Sequence, residues 1–112
     1  MLKLREAQID QLAPFRRRMR DLLRRHFPET REVPARQTDA AISRQVKAGR
    51  AHGLWTERQL AIYVLTAFLM GENFNTQFPA VEAVLGSDLP PDGKADWVEA
   101  WSKEMFDTLA KE

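Results

Sequence analysis

The side chains best suited to chemistry are scarce in this chain. It has no cysteine, so thiolate nucleophiles and a disulfide framework are both excluded. Its two histidines, His26 and His52, stand far apart without an H-x-x-x-H pair, and the spacing offers no metal-ligand set. The segment GENFNT (71–76) carries oxygen ligands but lacks the acidic, glycine-pivoted spacing of a calcium loop. Ser43, Ser87 and Ser102 have no G-x-S-x-G setting, Tyr63 lies in an apolar run that reads as core, and no glycine-rich phosphate loop is present. No spacing singles out a catalytic pair among the sixteen Asp and Glu residues. The chain therefore reads as a non-enzyme without metal or cofactor, and His26 as a hydrogen-bonded histidine at the edge of an apolar stripe.

Binding chemistry is better represented. The segment PFRRRMRDLLRRHF (14–27) holds six arginines, with Arg17, Arg20 and Arg24 opposite an apolar stripe and Arg16, Arg18 and Arg25 flanking them. Such a helix can neutralise phosphates. Asp21 interrupts the cluster and the net charge is only +1, so a solvated or internally paired face ranks above nucleic acid. The charge is unevenly spread: residues 1–36 carry ten Lys/Arg against five Asp/Glu, and residues 37–112 seven against eleven. That split fits an acidic partner, or helices of opposite charge satisfying each other. The aromatics Trp55, Phe74, Phe78, Trp97, Trp101 and Phe106 all follow residue 50. Trp97 and Trp101 read first as core. Phe74 in a loop and Phe106 off the main stripe join Trp97, with Arg17, Arg20 and Arg24, as candidate partner contacts.

These residues must be held by helices. The chain is organised around Leu54 to Gly71, whose middle, LAIYVLTAFLM, is apolar apart from one threonine. A helix apolar on all sides is one meant to be surrounded. It is too short to cross a bilayer, which takes about 20 residues. Thr56 and Gln59 form a T-x-x-Q capping box, Trp55 and Leu60 occupy staple positions, and Gly71 marks the end, which places the helix at about Glu57 to Met70.

Around it the sequence predicts a short helical turn from about Arg5 with Leu2, Leu4, Ile9 and Leu12 as anchors, then a helix from Pro14 to Phe27. The stripe of that helix is Phe15, Met19, Leu22, Leu23 and His26. Residues 28–36 read as a linker. A second helix begins near Thr38 or Asp39 and ends at Gly53, its thin face of Ala41, Ile42, Val46 and Gly49 suited to close approach to the central helix. GENFNTQFP reads as a loop with Phe74 and Phe78 as plugs, Pro79 to Leu85 as a short helix, and Lys94 to Ala110 as the last helix. The expectation is all-α: one domain, 1–112, a compact bundle of four to five helices around the central one. The opening MLKLREAQID lacks the apolar core of a signal peptide, which points to the cytoplasm and away from the membrane.

The order of motifs resembles a family. An opening L-x-x-x-Q-x-x, a basic helix ending R-x-H-F-P (Arg24 to Pro28), I-x-x-x-V-x-x-G/A-x-x-x-G-L-x-T-E-x-x-x-x-x-Y (Ile42 to Tyr63) and a closing G-x-x-F-N/D-T (Gly71 to Thr76) are together similar to a group of small bacterial helical proteins. These are encoded beside effectors and adaptor chaperones of the type VI secretion system. The likeness is strongest from Arg50 to Thr76 and carries no catalytic residue. Asn75 stands where the group often has aspartate, which puts any role of that carboxylate in doubt. The resemblance implies a cytoplasmic accessory, chaperone-like, that binds an effector or its adaptor. An immunity protein against a toxin is the rival implication, and a small nucleic-acid-binding regulator a third. A homodimer remains open.

Overall fold

The structure, a computed structural model, describes residues 12–111. The expected turn near Arg5 and its anchors Leu2, Leu4 and Ile9 lie outside the described residues. The described residues form helices joined by turns, with no strand among them: α1 (Leu12–His26), a 3-10 turn (Pro28–Glu32), α2 (Ala35–Ala51), α3 (Glu57–Met70), α4 (Phe74–Gln77), α5 (Pro79–Leu85) and α6 (Pro91–Lys111). By contact the chain divides into two compact units, Met1–Arg44 and Gln45–Glu112, the division falling within α2.

In the first unit, α1 buries Phe15, Met19 and Leu23 one turn apart. Pro14 sits in its first turn, where a missing N–H costs nothing. Pro28 ends it, and the Phe27 amide makes the last bond, 2.7 Å to the Leu23 carbonyl. His26, expected on the apolar stripe, is exposed in the helix's last turn, while Leu23 in the same turn is buried. The linker 28–36 is ordered by short-range bonds. Thr30 Oγ1 donates to the Phe27 carbonyl at 2.7 Å, and Arg31 Nε to the Arg24 carbonyl, also at 2.7 Å. The latter places a cation at the negative end of α1. Helix α2 starts at Ala35, ahead of the expected Thr38 or Asp39, because the Pro34 carbonyl already accepts from Gln37 and Thr38. Thr38 is then a buried residue inside the helix.

Three arginines set the register of this hairpin. Arg16 Nη1 donates to Ser43 Oγ at 3.2 Å, Arg20 Nη1 to Asp39 Oδ2 at 2.6 Å, and Arg24 Nη2 to the Val33 carbonyl at 3.1 Å. As α1 ascends in fours, the partner residues descend, so the two segments run antiparallel.

The second unit begins with the end of α2. Leu54 N–H reaches the Gly49 carbonyl and Gly53 N–H that of Arg50, both at 3.0 Å, the pair of bonds that closes a Schellman motif. Gly53 has φ +88°, a conformation that L side chains rarely adopt, and Leu54 beyond it is buried. The close approach expected of Gly49 is present: a Cβ there would lie 3.1 Å from Leu60 Cδ2 and 3.4 Å from Tyr63 Cγ.

Helix α3 has the expected bounds and cap. Thr56 Oγ1 accepts from the Gln59 amide at 3.1 Å, and Gln59 Oε1 accepts from the amides of Thr56 (3.2 Å) and Trp55 (2.8 Å). Gln59 Nε2 also donates to Asp92 Oδ1 at 2.7 Å, which ties the start of α3 to the first turn of α6. Arg58 pairs with Asp96 and lies 3.7 Å from Glu99. Leu60, Ile62, Tyr63, Val64, Thr66 and Ala67 are buried, while Ala61, Leu65, Phe68, Leu69 and Met70 are half-buried. Gly71 ends the helix at φ +109°, its amide bonded to the Ala67 carbonyl.

The expected loop after α3 contains one helical turn, α4, because Gln77 N–H can reach the Asn73 carbonyl at 3.0 Å. Proline opens α5 and Gly86 follows its end, as expected. Helix α6 starts three residues before the expected Lys94. Pro91 takes the first helical position, and the Pro90 carbonyl accepts from the Lys94 amide at 3.0 Å.

Candidate protein-binding surface

Three features of the second unit define its surface: an aromatic chain, a buried lysine and an overhanging helix end. Tyr63 and Phe74 are both fully buried, with ring centroids 4.9 Å apart at 55°. Phe74 continues to Trp101 at 6.5 Å, Phe78 meets Trp101 edge-on at 4.9 Å, and Trp97 stacks on Trp101 at 6.3 Å and 9°. On the other side His52 lies 6.2 Å from Tyr63. Burial pushes the Tyr63 phenol up to about 12. The His52 imidazole is held below its ordinary value, first by burial and then by the charge of Lys94.

Lys94 lies in the first turn of α6 with 9% of its surface exposed. Its ammonium donates to the carbonyls of Leu85 (2.8 Å) and His52 (3.1 Å). It thereby caps the end of α5 and the turn leaving α2 with one charge. A cation at such positions can interact favourably with both helix dipoles.

Helix α6 outruns its neighbours. Its start is bonded to the start of α3 through Gln59 and Arg58, and its last ring contact is Trp101 to the Phe74 that follows α3. The two helices thus run in the same general direction, and α6 is the longer, 21 residues against 14. From Lys103 to Ala110 every residue is exposed except Met105, which is half-buried. At about 1.5 Å per residue that is roughly 12 Å of unsupported helix. On it the buried stripe of Ala95 and Val98 continues as Met105 and Leu109, with Phe106 at its edge. Phe106 is 51% and Leu109 58% exposed, three residues apart and so on one side.

The candidate contacts fare differently. Arg20 and Arg24, named as partner contacts on a face that read first as solvated or internally paired, are bonded to Asp39 and the Val33 carbonyl. The physical reason is that they follow Met19 and Leu23 by one residue, beside the stripe that packs, instead of opposite it. Arg17 is exposed, as are Arg18 and Arg25, with Asp21 among them. Phe74, read both as a plug into the core and as a partner contact, is a core residue, because the α4 turn aims it between Tyr63 and Trp101. Trp97 is half-buried with one face on Trp101. Phe106 alone of the three aromatics is exposed. Trp55, expected at a staple position, is 45% exposed, with the Arg50 guanidinium 5.6 Å over its ring.

Leu109 is the exposed residue that periodicity alone assigns to the core. Its signal was its place in the last turn of the longest helix, beyond the reach of a shorter neighbour. Among the described residues no group of three or more His, Cys, Asp or Glu could hold a metal ion, and no helix is long and apolar enough to cross a membrane. No family model, curated protein or solved structure matches the chain.

Proposed function

We propose that this protein is a non-catalytic binding protein: a cytoplasmic, chaperone-like accessory of a type VI secretion effector or of its adaptor chaperone. The observation that carries the binding role is the unsupported end of α6, where Phe106 and Leu109 stand in water on one side of a helix. Exposed apolar side chains that adjoin one another on a regular element mark contact surfaces more often than scattered ones do. The secretion context is supported by the resemblance in the motifs from Arg50 to Thr76. Nucleic acid is the weaker reading, since Arg16, Arg20 and Arg24 are bonded within the first unit.

Co-expression with the effector and with the adaptor encoded beside it tests the proposal. A stoichiometric complex with either one, stable through size exclusion, is the expected result. Failure of both to co-purify would sink it.

A further inference from the structure

We infer that the outward face of α1, formed by Arg17, Arg18 and Arg25, is the docking site for a short segment rich in Asp and Glu, carried by a protein partner. This rests on the protein-binding reading above and names the partner's chemistry. At about 100° per residue the side chains of α1 fall into sectors. Phe15, Met19 and Leu23 are buried, and Arg16, Arg20 and Arg24 beside them are bonded within the hairpin. Arg17, Arg18, Asp21 and Arg25 share an arc of about 100° beyond that row, and all four are exposed.

Charge selects the occupant. Residues 12–44 carry nine arginines, no lysine and four Asp/Glu. The bonds within the hairpin leave that excess standing, because Arg16 and Arg24 donate to the neutral oxygens of Ser43 and Val33, and Arg20 alone of the three meets a carboxylate. That row also sets like charges four residues apart, an arrangement that repels along a helix. A carboxylate segment on the outward face offsets the repulsion, and the guanidinium fork takes a carboxylate through two parallel bonds. Nucleic acid is a poorer occupant. Three arginines with Asp21 among them fall short of the roughly 6–10 phosphate contacts of a strongly salt-dependent duplex binder, and a long polyanion meets a chain whose net charge is only +1. An anionic membrane gains little either, since that arc has no exposed apolar side chain to insert.

Two unstructured peptides of equal length, one alternating glutamate with serine and one lysine with serine, test this by amide NMR of the full chain. The glutamate peptide is expected to shift the amides of α1 and to lose affinity steeply as salt rises, while the lysine peptide leaves them in place. The Arg17→Gln, Arg25→Gln double variant should weaken binding by roughly tenfold or more while its thermal melt stays put, since both side chains are exposed and lie outside the bonded row. Asp21→Asn, which removes the one carboxylate of the face, should tighten it. Equal binding of the two peptides, shifts confined to other elements, or indifference to the double variant would overturn the inference. So would a DNA duplex or an anionic vesicle bound more tightly than the glutamate peptide at the same salt, which makes the occupant nucleic acid or lipid. The two readings fail separately. A complex with the effector or adaptor that is indifferent to Arg17 and Arg25 removes this site and leaves the function. Glutamate-peptide binding at α1 without either complex does the reverse.

Discussion

The two units are held by different forces. In Leu12–Arg44 the directional contacts are those of arginine: Arg16, Arg20 and Arg24 each reach an oxygen on the segment that runs back along α1. In the second unit the corresponding work falls to rings, from His52 through Tyr63 and Phe74 to Trp101, with Gln59–Asp92 and Lys94 as polar contacts at helix ends. Arginine bonds fix register but are individually modest, because a half-exposed guanidinium is nearly as well served by water. Buried rings cannot be replaced by water at all. The comparison teaches that a residue's chemical type does not tell whether it is structural. The basic face that looks like a binding site is largely internal wiring in one unit, and in the other the apolar residues that look like core end up outside.

The comparison breaks most sharply at Phe74. Phe74→Ala removes the ring that connects Tyr63 to Trp101 and leaves a cavity, and should cost about 3–5 kcal/mol of stability. Urea denaturation followed by tryptophan fluorescence measures it. A loss under about 1 kcal/mol would mean that the rings merely adjoin and that helix caps hold this unit.

What could be read in advance was whatever is decided locally. The bounds of α3 were legible because Thr56, Gln59 and Gly71 act on their own backbone, and α5 because proline and glycine bracket it. Helices α2 and α6 each start a turn early because a proline carbonyl, Pro34 or Pro90, can accept the first helical bond, an effect that apolar periodicity does not register. The fate of Arg20 was not legible, since it depends on Asp39 lying across from it, nineteen residues on. Nor was that of Leu109, whose exposure depends on the length of another helix. Tertiary alignment decided both.

Next in size is the lysine that joins helix ends. Lys94→Met keeps much of the buried stem but leaves the carbonyls of Leu85 and His52 without their charged donor. A loss of about 2–3 kcal/mol is expected, as for hydrogen bonds to a charged group. If the variant is as stable as the parent, water has taken the ammonium's place and the polar contacts of the second unit are as exchangeable as those of the first. Arg20→Ala tests that first unit. Its ion pair with Asp39 has side chains 22% and 31% exposed, so about 1 kcal/mol is expected at low salt, shrinking as ionic strength rises. A loss that salt leaves untouched would assign Arg20 a packing role and erase the contrast between the units.

The smallest effect is a dependence on pH, and its sign follows from His52. Burial and Lys94 hold the folded imidazole below its ordinary value of 6.5, so the unfolded chain takes up a proton more readily than the folded one. Stability from this group is therefore complete above about pH 6.5. It declines as pH falls through that value and levels off once the folded histidine is protonated too. His52→Gln should flatten the slope of unfolding free energy between neutral and mildly acidic pH, and Lys94→Met should reduce it, because Lys94 supplies the second cause of the shift. Burial is the first cause, so part of the slope should survive without Lys94. If Lys94→Met instead removes all of it, charge and not desolvation governs His52, and the second unit's interior is wetter around that ring than its position against Tyr63 implies.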